Sequence, residues 1–477
     1  YDLIPVAQEL ADDDDTYTTL YLRAIPMGLE MYAGSFDGAV EVCREAAAAG
    51  VDLLWAVFCG TVGMMAALHG HLDLAREHLA VVGEVLSRLR LSSSLDTAGH
   101  GHAGALYLAM LEGRLSDARV LAVTDPSPSE FAFPAVAWSA QLGLITGDAT
   151  LAGDAAGWFE RHEAPALHRM SVCHARCASA LGTRDHDLIA ERARELWDAV
   201  MATGGAINAG SLDIAVIGFL VAGRPDDVDE LVIEWAAVVE ENEGAHPMAA
   251  VALHKARVLH AVHQGLDSAA IEASHQLLAL AHRSELALHT IDGLIVLAEL
   301  AARRHDDTEA ARLIGAIASA QARIGYHAPL IGHLVDVGGL RDRMILDQPD
   351  AYGEGTRLDL DAIVEVVRRR RGPRGRPRIG WDSLTPTERL VAELAATGAT
   401  PATGPPGTRT RGTHHRRPSP KVRSRTEGRR RNSRREVIRA SLGRSWWFAP
   451  NDPVFWCDFH ASRAYHRACS PPLYLSR

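Results

Sequence analysis

A glycine followed five residues later by a small or apolar residue recurs along this chain, at Gly34/Ala39, Gly70/Ala75, Gly113/Ala118, Gly147/Ala152, Gly223/Val228 and Gly265/Ala270. His305/Ala310 is a degenerate copy, and Gly182 is read as a further mark with a longer turn before Ile189 and Ala190. The spacing of roughly 34 to 43 residues is that of tetratricopeptide-like helical pairs. In such a pair the glycine ends the first helix and the small residue lets the second pack closely. Leu72, Ala75, Leu79, Val82 and Leu86 follow helical spacing, and Ile271, Leu277, Leu278, Leu280 and Ala281 do so less cleanly. Proline is sparse inside these stretches and β-branched alternation is rare. Residues 1–350 are therefore expected to form an all-α helical-repeat solenoid whose pairs stabilise one another through shared apolar faces. Such a surface either binds a partner or effector, or only joins domains, and the sequence leaves both open.

Near the other end, GWDSLTPTERLVAELAATG (Gly380 to Gly398) has the marks of a capped helix. Thr385 stands at the N-cap, Pro386 at the first helical position, and Glu388 completes a capping box. Val391, Leu394 and Ala395 share a face, and Gly398 terminates it. The segment resembles the first helix of the LuxR-type DNA-binding domain, with Leu384, Thr385, Pro386, Glu388, Val391, Leu394 and Gly398 at the family's positions. The resemblance implies that this helix supports two more, the last of which enters the major groove. Neither the Asn-x-x-Ile-Ala phrase of the second helix nor the Ser-x-x-Thr-Val phrase of the third follows Gly398, so no base-reading residue carries over. Upstream, Ala310 to Tyr326 and Gly353 to Val367 resemble the closing part of the helical repeats in large actinobacterial LuxR-type regulators. There a basic linker leads to the DNA-binding domain. Here RRRRGPRGRPR, with Arg368, Arg369, Arg370, Arg371, Arg374, Arg376 and Arg378, stands in that place and is expected to make non-specific phosphate contacts.

Charge follows the same division. The 477 residues carry a net charge of -11. About 24 basic residues face 53 acidic ones before Arg368, against about 22 and 5 from Arg368 to Arg444. The acidic body repels nucleic acid, whereas the basic segment attracts it. After Gly398 the chain turns to Arg, Pro, Gly, Thr and Ser with no apolar period. One reading is a disordered phosphate-binding arm. The preferred one is out-of-frame translation of high-GC DNA, since lysine occurs only at Lys255 and Lys421 among many arginines. The expected organisation is then residues 1–350 helical repeats, 351–379 a terminal helix and basic linker, 380–398 the first helix of a DNA-binding domain, and 399–477 a disordered tail.

Other chemistry is thin. Neither lysine completes a P-loop, so no cofactor is expected in this chain, and ATP would belong to a domain upstream. A start at Tyr1 instead of Met suggests that an N-terminal portion is missing from the chain. His69/His71, His100/His102 and Cys173/His174/Cys177 invite a metal reading, but no second ligand pair accompanies them. Cys457, His460, His466 and Cys469 enclose too short a loop for a known zinc module, and no metal is expected. Cys43, Cys59, Cys173 and Cys177 lie in apolar helical contexts that suit reduced thiols in a cytoplasm. No signal peptide is visible, the longest apolar run, Ile214 to Ala222, is too short to span a bilayer, and no catalytic triad can be assembled. The expectation is a cytoplasmic transcriptional regulator, not an enzyme, whose partners are DNA and a protein or small-molecule effector on the repeats. The alternative is a helical-repeat interaction scaffold without DNA binding.

Overall fold

The recurring glycines sit where the backbone turns left-handed. In the computed structural model, φ is +80° at Gly34, +86° at Gly70, +75° at Gly113, +70° at Gly147, +72° at Gly223 and +69° at Gly265. His305, the degenerate mark, has φ +61°. At each, the next residue donates its N–H to a carbonyl five residues back, as in Ser35 to Glu30, His71 to Ala66, Arg114 to Ala109 and Asp306 to Ala301. This closes the helix and frees the chain to reverse. Gly182 differs: it keeps an ordinary φ, and the turn is held by Thr183 Oγ1 donating to Ala180 O at 2.7 Å. Of the residues five positions on, Ala75, Ala118, Val228, Ala270 and Ala310 have no exposed surface, nor does Ile189, while Ala39 and Ala152 keep 5% and 9%.

The structure describes residues 16–370 apart from residues 93, 166–167, 203–205 and 243–245; the expected DNA-binding helix and the tail lie outside them. Among the described residues the chain is helical, with no strand. The first helix of a pair is apolar nearly all round. Asp52–His69, Ala132–Thr146, Ala209–Val221 and Ala287–Arg303 bury most of their residues. The second is amphipathic, as in Leu72–Arg88, Ala149–Arg161, Pro225–Glu241, Asp267–Arg283 and Asp307–Ile324. Its buried residues recur at helical spacing and its far face is polar. Local signals place the starts: Asp148 and Asp306 accept from Leu151 and Glu309 N–H, and Pro225 opens its helix at the first position. Asp52–His69 is long and apolar enough to cross a bilayer, but 67% of its apolar window is buried inside the fold.

The described residues fall into two compact units. One takes in those up to Leu108 together with Ala118–Ala252. The other takes in Ala109–Asp117 and those from Leu253 onward. In the first, the indole N–H groups of the wholly buried Trp158 and Trp235 donate to Pro126 O and Ala249 O, both at 2.9 Å. In the second, Pro349–Thr356 lies across Asp307–Ile324, and there the backbones nearly touch. A Cβ on Gly315 would meet the Tyr352 carbonyl, and one on Gly355 would meet the Arg312 carbonyl. Both glycines belong to the two segments whose sequence resembles the end of a regulator's repeat region, and their reciprocal crossing joins those segments into one piece of structure.

Candidate nucleic-acid interface

The basic linker begins inside a helix. Asp359 caps Leu360–Arg370 by accepting from Ala362 N–H at 2.7 Å, and Arg368, Arg369 and Arg370 occupy the last turn, where cations offset the helix dipole. Ile363, Val364 and Val367 form the buried stripe that packs this helix on Asp307–Ile324 and Asp267–Arg283. His282 Nε2 and Asp361 Oδ1, 3.0 Å apart, add a polar contact to the second of these helices.

The arginines are not equivalent. Arg370 pairs with Glu309, a carboxylate only 11% exposed that also receives Arg312 Nη1 at 3.0 Å. Arg312 then reaches Glu354 at 3.0 Å. Burial alone would lower the Arg312 pKa, but the hydrogen bond to Glu354 and the charges of Glu309 and Glu354 outweigh it and raise it. Arg368 pairs within its helix with Glu365 at 2.8 Å and stays 59% exposed, and Arg369 makes no ion pair among the described residues. A cleft of about 490 Å³ opens here, lined by Arg312, Glu354, Arg357, Leu358, Val366 and Arg370.

Chemically, this is a cluster of guanidiniums partly neutralised by Glu309, Glu354 and Glu365. Exposed pairs such as Arg368 with Glu365 are worth only about 0 to 1 kcal/mol and exchange readily for a phosphate. Arg370 is held more firmly, because its partner is largely buried, and it fixes the start of the linker to the last repeat. Sequence reasoning placed the arginines but missed Glu309, whose only local signal is its place three residues after the cap Asp306. Arg371, Arg374, Arg376 and Arg378, and the helix remnant with Leu384, Thr385, Pro386, Glu388, Val391, Leu394 and Gly398, lie outside the described residues.

A second polar cluster lies in the interior of the same unit. Lys255 Nζ meets Asp292 Oδ2 at 2.7 Å, Tyr326 OH donates to Asp292 Oδ1 at 2.6 Å, and His289 Nδ1 lies 3.5 Å from the ammonium. Burial, then the Lys255 charge, push the His289 pKa down to about 3 against the opposing pull of Asp292, so this imidazole is neutral. The histidines weighed as ligands have other partners. His100 faces Thr61 Oγ1 at 3.0 Å, His102 faces Leu121 O at 2.8 Å, His174 faces Ser211 Oγ at 2.7 Å, and His69 pairs with His246.

Over 164 residues, 34% of its length, the chain is 33% identical to "Putative HTH-type transcriptional regulator Rv0890c" of Mycobacterium tuberculosis. The same identity and extent relate it to "Putative HTH-type transcriptional regulator Mb0914c" of Mycobacterium bovis. The chain spans 18% of the length of each of these relatives. No protein-family model matches it. No solved structure matches it.

Proposed function

We propose that this chain is part of a transcriptional regulator of LuxR type. Its helical repeats take a protein or small-molecule effector, and its basic C-terminal segment meets DNA. The observation that carries this reading is the 33% identity with proteins named as helix-turn-helix regulators. The Leu-Thr-Pro-x-Glu phrase at Leu384 supports it, as does the Arg370 to Glu309 pair that ties the linker to the repeats. That pair couples the last turn of Leu360–Arg370 to the packing of the Asp307–Ile324 helix, the kind of link that transfer of an effector signal requires. By this reading the protein works in the cytoplasm as a regulator and not as an enzyme.

Titration of one promoter fragment and one scrambled duplex at two salt concentrations tests the reading. With only the supporting helix of the DNA-binding domain in the sequence, the chain binds both duplexes alike, through Arg368 to Arg444, and affinity falls steeply with salt. A specificity ratio above about a hundredfold would mean that the tail itself reads bases. Absence of binding to either duplex at low salt would remove DNA from the reading and favour an interaction scaffold. Restoring a frame beyond Gly398 that encodes the two missing helices is expected to create specificity, and neutralising the linker arginines to weaken both duplexes equally.

A further inference from the structure

Three consecutive helices of the first unit bring Cys43, Cys59 and His78 to one point. Cys43 lies on Asp37–Ala48, Cys59 on Asp52–His69 and His78 on Leu72–Arg88, and all three are buried, at 3%, 1% and 5% exposure. Their two sulfurs and one imidazole nitrogen lie within 4.8 Å of one another. His78 Nδ1 is 3.2 Å from Leu74 O. A carbonyl can only accept, so Nδ1 carries the proton and Nε2 keeps its lone pair. Orienting a histidine through its other nitrogen in this way is the usual support of a metal-binding imidazole.

We propose that Cys43, Cys59 and His78 bind a zinc ion that clamps these three helices together. Two soft sulfurs and an imidazole are the donor set of zinc sites, and about 2.3 Å Zn–S bonds put the sulfurs of a tetrahedral site about 3.8 Å apart, within reach of small side-chain rotations. Charge selects the ion. Two thiolates cancel Zn²⁺, so the complex enters the apolar interior neutral, whereas Cu⁺ would leave an uncompensated negative charge where the same helices bury Ala46, Val62, Ala75 and Val82. A disulfide between the two cysteines would give His78 no task. The chain supplies three donors, and water or another small ligand completes the fourth position. On binding, each thiol proton leaves to solvent as its sulfur bonds the metal, with no change of oxidation state.

The test uses the full chain, reduced and stripped with a chelator, then titrated with Zn²⁺ and, separately, Co²⁺. One equivalent of Zn²⁺ is expected to bind and raise the melting temperature, and Co²⁺ to give thiolate charge-transfer absorption in the near ultraviolet. Cys43→Ser, Cys59→Ser and His78→Gln should each weaken binding by more than about tenfold, since even loss of a supporting outer-shell group costs that much. The double variant Cys457→Ser/Cys469→Ser should bind as the parent does. Absence of the Co²⁺ band in folded parent protein would overturn the proposal whatever the variants do. So would binding that survives at Cys43 and is lost at Cys457, a Cys43–Cys59 disulfide in freshly isolated protein, or a response to Cu⁺ without one to Zn²⁺.

Discussion

Lys255 is one of two lysines in the chain and is buried against Asp292, with Tyr326 holding the other carboxylate oxygen. A pair taken out of water this far returns little net stability, because desolvation nearly cancels attraction. Breaking it is another matter. Asp292→Ala strands an ammonium beside a neutral His289, and unfolding free energy should drop by about 3 to 5 kcal/mol in urea titrations. Lys255→Met combined with Asp292→Leu should recover most of that loss. If the single and double variants are equally unstable, packing and not charge governs the site. Nothing local in the sequence joins residues 255, 289, 292 and 326; only the pairing of helices does, so Lys255 was legible as an oddity and not as a member of a cluster.

Helix reversals were the most legible elements. A positive φ is a demand made on one residue, and glycine meets it without strain, so Gly34, Gly70, Gly113, Gly147, Gly223 and Gly265 announce their turns wherever the rest of the chain goes. The reversals out of the second helices were missed. Gly50 and Gly325 there, followed five positions on by the large Trp55 and Leu330, were not among the marks, and Arg90 and Glu285 adopt the same left-handed turn with a side chain in place. Burial of His78 was legible in principle, since it stands three residues after Ala75 and four before Val82 on the inward stripe. The ion pairs at the end of Leu360–Arg370 were not, because Arg370 and Glu309 are 61 residues apart. Close packing at the marks sets an expectation for the pairs themselves. Ala75→Leu and Ala118→Leu, both at positions with no exposed surface, should each cost about 1 to 3 kcal/mol through overpacking. Unchanged melting temperatures in both would mean the second helices have room that their burial denies.

Several histidines among the described residues are held in the neutral form by burial. Burial, first among the causes, lowers the pKa of His69 and His289 to about 3 and of His100, His168, His174 and His246 to about 4. Interaction with a neighbouring titratable group adds to this at several of them, as with His246 and His71 beside His69 and Lys255 beside His289. In the unfolded chain the same rings take up protons near pH 6.5. Stability is therefore complete above about pH 6.5 and falls as the pH drops toward 4, by up to about 1.4 kcal/mol per pH unit for each such histidine. Urea midpoints at pH 7.5, 6 and 5 check this, and a flat profile over that range would show that the rings are charged in the fold. The acidic body and basic end were legible from composition alone, because net charge needs no tertiary structure.

The crossing of Gly315 and Gly355 reaches beyond mechanics into genetics. Each glycine presses on a carbonyl of the opposite helix, so a hydrogen is the only side chain that fits at either position. A glycine codon cannot change by one missense base without acquiring at least a β-carbon. Every such change at these two codons should wedge the last repeat apart, whereas changes at the exposed positions of the neighbouring helices should pass unnoticed. In a saturation library screened for folded protein, inactive alleles should pile up at these codons and include alanine; tolerance of alanine at both would mean the helices part easily.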